Sequence, residues 1–478
     1  MSNNINEKYK ELSLNTIIFA LGNLGSKLVS FLLVPLYTNV LSPADYGIAD
    51  LIQTIASVLV PIFSLMIQDA VLRFGLKKIY DQYDVLKSAI RVFFVGLFLL
   101  VMCTPFIKMY KTISDYVIYT CLIILSNMLL NITCSFVKTI DKNKLYAISG
   151  IVNSILLGAF NVLFLIVLKM TISGYLLSIF LAQMLTITFL MFFGVDAKKL
   201  IESQYNKELT KKMIIFSLPL VLNNISWWVL NSSDKIMIER MLDSTSLGIY
   251  SAAAKIPAFI SIINTIFLQS WTISIIKDYE DDENRNNIFF SNIYEIYSFI
   301  ITFVSIVLLT VLKPLIEKYI GSAFQECLPL APLLINGTVF FGYSLFFGAI
   351  YSAVGKNKAV GWSTLMAAII NISINYMLIS KCGIIAASIS TFISYLFVAI
   401  YRMIDSRKYI KFKINIRAFI VNNILLFTET MIITFQYKTY LCSLLILMMF
   451  MIINKNTIYK MNTNIKKYLL KSKGEKKL

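Results

Sequence analysis

Lys27 stands near the middle of GNLGSKLVSFLLVPLY (residues 22–37), inside a mostly apolar run from Leu12 to Val40. An ionisable side chain at such depth is costly unless it faces a cavity or a partner, so it is a candidate binding group. It precedes Tyr37 by ten residues, ~15 Å along a helix. That is farther than a lysine stem reaches towards the interface. Thr16, Asn23, Lys27 and Ser30 follow helical spacing and form one polar stripe. Gly22, Ser26 and Ser30 form a ridge of small residues beside it, suited to close helix packing.

A second stripe is longer. Asp50, Thr54, Ser57, Pro61, Ser64 and Gln68 recur at steps of three and four, which places them on one helical face. Helix–helix hydrogen bonding accounts for one or two such groups; a stripe along a whole crossing fits a water-filled cavity. Two further cations are expected within apolar segments, Lys255 and Arg91. Arg91, like Arg73, reads equally well as an interfacial anchor. Lys27, Lys255 and Arg91 against Asp50 make a net positive pocket suited to an anion such as a diphosphate. Trp227, Trp228, Asn224 and Asn231 offer flat apolar faces and amides, which suit a sugar. Asp50 is a weak candidate for a coupling proton or sodium ion.

These residues need membrane-crossing helices to hold them. Apolar residues make up 58% of the 478 and charged residues 15%, with a mean hydropathy of +0.73. The apolar residues come in blocks, as in membrane spans. A span needs roughly 20 of them. On that ruler spans fall near 14–37, 47–68, 88–107, 113–136, 146–168 and 171–194, then 214–238, 247–270, 288–312, 328–350, 359–380 and 383–401. Two more are expected near 414–436 and 439–453, the last short, so twelve to fourteen spans are open. The first block is expected to be retained as a span.

The chain carries 44 Lys and Arg against 26 Asp and Glu, a formal net charge of +18. With the N-terminus in the cytoplasm, 31 of these cations fall on the cytoplasmic side and 9 on the other. Only Lys27, Arg91, Lys255 and Arg417 are expected within spans. The bias predicts cytoplasmic termini, and it explains the charge without nucleic acid. There is no histidine, which excludes His metal sites and Ser-His-Asp catalysis. The six scattered cysteines form no C-x-x-C pair, and no P-loop occurs. No metal or cofactor is expected.

The chain reads as two copies of one unit, offset by 201 positions. VLSPADYGIADL (residues 40–51) lies on MLDSTSLGIYSA (residues 241–252), with the Gly-Ile pairs coincident. DKNK before span five matches GKNK before span eleven, and Asn161 and Asn375 follow at equal distance. The expected fold is all-α: two six-helix lobes, 1–212 and 213–412, related by a parallel pseudo-two-fold around a central cavity, with 413–478 adding two spans and a basic tail. Under this repeat Lys27 is matched by Trp228, Asp50 by Ser251 and Thr54 by Lys255.

The Gly-Ser-Lys segment of span one, PLYTNVLSPADYGIADL, Arg73 after span two and the twelve-plus-two layout resemble bacterial polysaccharide-biosynthesis flippases. These are O-antigen and capsule repeat-unit translocases of the multidrug/oligosaccharidyl-lipid/polysaccharide exporter superfamily. The resemblance implies alternating access, a polyprenyl-diphosphate-linked glycan as substrate, an inner-membrane location, and cavity cations in spans one and eight, where Lys27 and Lys255 lie. Contact with polysaccharide polymerase or chain-length proteins is a further expectation. A cation-coupled multidrug exporter of the same superfamily is the alternative, with an acidic cavity. A glycosyltransferase or polymerase needs catalytic groups in large external loops, and the connections here are short; a scaffold leaves the polar stripe unexplained.

Overall fold

The computed structural model describes residues 29, 31–77, 80–278, 283–354, 356–410, 414–435 and 439–460. Asn23, Lys27 and Ser30 therefore lie outside the described residues, as does most of the first expected span. The chain forms two compact units, Met1–Ser251 and Ala252–Leu478. Among the described residues, eleven helices are long and apolar enough to cross a membrane, and a bent pair makes a twelfth. The protein is a multi-pass membrane protein.

The first unit contains α1 (Val34–Val40), α2 (Pro43–Ser64), α3 (Ile67–Leu76), α4 (Gln82–Lys108), α5 (Val117–Thr139), α6 (Asn143–Asn161), α7 (Ile172–Gly194) and α8 (Lys207–Met241). The sequence sets the start of α2. Ser42 caps it, its Oγ accepting from Asp45 N at 3.1 Å, and Pro43 occupies the first turn, where its missing N–H costs nothing. The central α5 packs on α2, α3, α4 and α7, and α8 packs on α2, α3 and α4.

The expected single span over 47–68 is broken. Leu65 and Met66 both take left-handed backbone angles (φ 51° and 52°), a strained choice for residues with a Cβ. α2 stops there and α3 begins. Asp50, Thr54, Ser57, Pro61 and Ser64 share α2, but Gln68 belongs to α3, so the stripe does not run along one rod. Met66 N donates to Ser64 Oγ at 3.2 Å, stitching the break.

α9 (Ser244–Lys255) contributes Ser244–Ser251 to the first unit. The second unit continues with α10 (Ala258–Asp278), α11 (Glu283–Thr310), α12 (Ala331–Ala353), α13 (Asn357–Cys382), α14 (Ile385–Asp405), α15 (Ile416–Thr434) and α16 (Thr439–Ile453). The expected span over 247–270 is the bent pair, broken at Ile256–Pro257, because proline has no N–H to continue the helical ladder. The unit's core is aromatic: the Trp271 and Phe346 rings stack at 4.5 Å, and Phe267 stacks on Tyr297 at 4.2 Å. α12, buried for most of its length, packs on α10, α11, α14 and α15. Asn161 and Asn375, matched by the repeat, are both fully buried; the first donates to Tyr37 Oη at 3.0 Å and the second to Asn371 Oδ1 at 3.1 Å. At fifteen residues, or ~22 Å, α16 falls short of a ~30 Å hydrocarbon core.

Candidate functional site

The start of α2 meets the start of α9 at matched positions of the repeat. A Cβ on Gly47 would stand 2.0 Å from Ser244 O, and one on Gly248 would stand 1.8 Å from Pro43 O. Both glycines are thus required by backbone-to-backbone contact. The caps match too: Asp243 Oδ1 accepts from Ser246 N at 2.7 Å, as Ser42 does for Asp45. One turn further on, Ser251 Oγ donates to Asp50 Oδ2 at 2.8 Å. The segment that carries the repeat is therefore a crossing in which equivalent residues touch each other.

Asp50 is buried, and Lys235 of α8 places its Nζ 2.6 Å from the same Oδ2. The Asp50 side chain is 4% exposed and that of Lys235 20%. A charge at this depth needs such a partner. Lys235 is absent from the cations expected within spans, although it falls inside the span expected over 214–238. The signal was present: α8 extends to Met241, so Lys235 lies inside the helix. Beside the pair, Asp234 Oδ2 accepts from Tyr250 Oη at 2.7 Å.

Trp228 also joins α8 to α2. Its Nε1 donates to Thr54 O at 3.0 Å and Ser57 Oγ at 2.9 Å. Thr54, Ser57 and Trp228 are thus brought together, one turn from Asp50. Asn231 is exposed, donating from Nδ2 to Trp227 O at 2.7 Å. Arg91 is exposed too, its guanidinium 3.6 Å from the centre of the Tyr205 ring. Arg73 lies 4.1 Å over Phe216. Both arginines are thus held against an aromatic ring. Lys255 is half-buried at the end of α9, just before the break at Pro257, and belongs to the second unit.

Beyond Ser57, α2, α3, α5, α7 and α8 enclose a cavity of about 380 Å³. Six carboxamides line it: Gln53, Gln68, Asn127, Asn131, Gln183 and Asn224. No acidic or basic residue is among its described lining. This polar surface is neutral, and the Asp50 charge beside it is met by Lys235; of the cations expected to face Asp50, Lys27 lies outside the described residues and Lys255 is not in this lining. Gln53 Nε2 donates to Tyr175 Oη at 2.6 Å, and Gln183 Oε1 accepts from Ser126 Oγ at 2.5 Å, so two of the amides are held in place. Asn127 and Asn131, four apart in an apolar span, were legible as one wet face.

Residues 12–272 match the model of a family described as polysaccharide biosynthesis protein. The chain belongs to this family. The resemblance carried by residues 40–51 is borne out, and its Gly47 and Asp50 now have physical roles. This polysaccharide biosynthesis protein is also similar to a Haemophilus influenzae protein of the Lsg locus, 21% identical over 375 residues, which are 75% of this chain and 89% of that one. Among solved structures it is similar to the lipid II flippase MurJ in an inward closed conformation (TM-score 0.69, 16% identity, 92% of this chain and all of that one). It is similar as well to an inward-facing multidrug resistance MATE transporter of the MOP superfamily (TM-score 0.63, 12% identity, 83% and 97%). The likeness shows that this chain shares the helical fold of these two structures.

Proposed function

We propose that this protein moves polyprenyl-diphosphate-linked oligosaccharide repeat units across the cytoplasmic membrane by alternating access, supplying O-antigen or capsular polysaccharide synthesis. The observation that carries the reading is the cavity of neutral amides on α2, α3, α5, α7 and α8. Carboxamides offer both donors and acceptors, which match the hydroxyls of a glycan, and their lack of charge gives a drug cation nothing to pair with. An exporter of cationic drugs needs an available carboxylate, whereas Asp50 is engaged by Lys235 and Ser251. Membership of a polysaccharide biosynthesis family supports the glycan as cargo.

In this reading Lys27 and Lys255 take the diphosphate, each as a point charge, while Asn224 and the neighbouring amides take sugar. Asp50 and Lys235 hold α2 to α8 and α9 in one state of the cycle. Residues 1–212 and 213–412 act as the two moving lobes, with 413–478 as an addition. The excess of cations on one side supports cytoplasmic termini in the inner membrane, and a polymerase or chain-length protein would receive the product outside.

The test is complementation in a strain whose own repeat-unit flippase is deleted, scored by surface polysaccharide. Wild-type protein is expected to restore the polymer, and the double variant Lys27→Ala, Lys255→Ala to fail at equal membrane abundance. Full activity in the double variant would remove the cationic part of the mechanism. Drug resistance without any polysaccharide phenotype would overturn the glycan reading.

A further inference from the structure

Glu429 lies in α15, twelve residues past Arg417, and is fully buried. Its Oε1 stands 3.0 Å from Thr310 Oγ1 of α11, and that hydroxyl is also 2.9 Å from Ile306 O. A threonine hydroxyl has one proton. It has two acceptors within reach, Glu429 Oε1 at 3.0 Å and Ile306 O at 2.9 Å. A proton on Glu429 lets both contacts be made at once, since the hydroxyl can then give its own proton to the carbonyl four residues back and accept from the carboxyl. Oε2 of Glu429 has no hydrogen-bond partner. A neutral carboxyl tolerates one bare carbonyl oxygen, whereas an ionised one with a bare oxygen in a membrane interior is far more costly.

The surroundings are polar but uncharged. Ser443 of α16 faces the carboxyl. The adjacent Thr430 accepts from Asn336 Nδ2 of α12 at 3.3 Å, and Asn336 Oδ1 is itself unpartnered. α15 packs on α11, α12 and α16. α12 and α16 contain no acidic or basic residue; the α12 phenols Tyr343 and Tyr351 bond Ser298 and Asp405. On α11 the charged residues are Glu283, Arg285 and Glu295, the nearest fifteen positions before Thr310, or ~22 Å along the helix. Arg417 on α15 is ~18 Å away by the same rise. Lys313, just past α11, is paired with Glu317 at 3.9 Å.

We propose that Glu429 is a proton-binding site of the second unit: its carboxyl carries a proton that it donates to Thr310 Oγ1, and this proton pins α15 to α11. Losing it leaves the threonine's one proton for both contacts and a buried charge between the helices, which loosens α15 from α11. The ligand is a proton, not a metal cation. The site involves neither the amide cavity nor the diphosphate lysines, so it stands or falls apart from the transport reading.

The experiment is infrared difference spectroscopy of the full-length protein in lipid nanodiscs, stepped in pH in potassium buffer with and without sodium. At neutral pH the wild type is expected to show a protonated-carboxyl C=O band that Glu429→Gln removes and sodium leaves unchanged. Thr310→Val is expected to keep the band and move it to higher wavenumber, since the acceptor is gone. That variant also carries the test if the glutamine variant fails to fold. A spectrum in which Glu429→Gln removes no such band overturns the proposal. So does a band that sodium abolishes at fixed pH, or one that Thr310→Val leaves in place.

Discussion

The two units bury charge in opposite ways. In the first, Asp50 shares one carboxylate oxygen between Lys235 at 2.6 Å and Ser251 at 2.8 Å. In the second, Arg402 of α14 is 2% exposed with no acid bonded to its guanidinium among the described residues. Its Nε donates to Ser363 Oγ, Nη1 to Ser344 O, and Nη2 to Val360 O and Thr364 Oγ1, at 2.8 to 3.1 Å. A planar fork with four fixed neutral acceptors from α12 and α13 is a staple. A lysine on a flexible stem, with a carboxylate between two partners, is a contact that can be released. The difference separates a buried charge that is fixed on every side from one that water can reach.

The backbone crossing of α2 and α9 is the strongest place to break the first arrangement. Gly248→Val puts side-chain carbons where Pro43 O stands at 1.8 Å from the Cβ position; no rotamer removes that clash. Loss of monodisperse protein in size-exclusion chromatography is expected. Gly361→Val of α13, where a Cβ meets nothing within 4 Å, is the matched control and should leave the yield unchanged. Equal yields from the two variants would remove the crossing as a determinant of the fold.

Next in size is the staple. Gly348 lets the Arg402 guanidinium lie 3.0 Å from where a Cβ would stand, so the site is shaped around a fork. Arg402→Lys keeps the charge but cannot reach four acceptors, and a loss of about 3 kcal/mol is expected for a buried charge stripped of partners. Thermal unfolding in detergent measures it. A change below ~0.5 kcal/mol, the range of surface substitutions, would class Arg402 with the releasable charges.

Apolar block length suffices to find most of the described spans, because hydrocarbon thickness acts on the chain locally. The repeat was legible at Gly47 and Gly248 because each is packed against the other's segment too closely for a Cβ. Lys235 was harder, since a lysine near a span end reads as an anchor until α8 proves to be 35 residues long. Arg402 was hidden for the same reason, in the basic run RMIDSRK. The break at Leu65–Met66 had no sequence signal, as neither residue is glycine or proline. The amide cavity is assembled from α2, α3, α5, α7 and α8, and no window of one helix shows such a convergence.

The releasable charge comes third. Asp50→Asn keeps an acceptor for Ser251 but strands Lys235, whose 20% exposure lets it relax towards water. A loss of about 2 kcal/mol is expected, in the range for a hydrogen bond to a charged group. Adding Lys235→Gln should return most of it, which a double-mutant cycle on thermal unfolding reads directly. If the second substitution deepens the loss, the pair is a fixed strut like Arg402 and the contrast between the units dissolves.

The smallest effect on stability should fall on the amides, and it separates their roles. In the second unit Asn422 and Asn454 exchange two hydrogen bonds, at 3.1 and 2.8 Å, and are buried; they spend their amides on each other. In the first unit Asn127 donates to Ile123 O of its own helix, and Asn131 lines the same cavity, both half-buried. Asn422→Ala is expected to cost about 1 kcal/mol through the stranded partner. The double variant Asn127→Ala, Asn131→Ala should stay within ~0.5 kcal/mol of wild type while lowering polysaccharide export in the complementation strain several-fold. Equal export would make the cavity a packing defect. A stability loss matching that of Asn422→Ala would make its amides structural, because an amide that serves a ligand leaves the empty protein almost as stable without it.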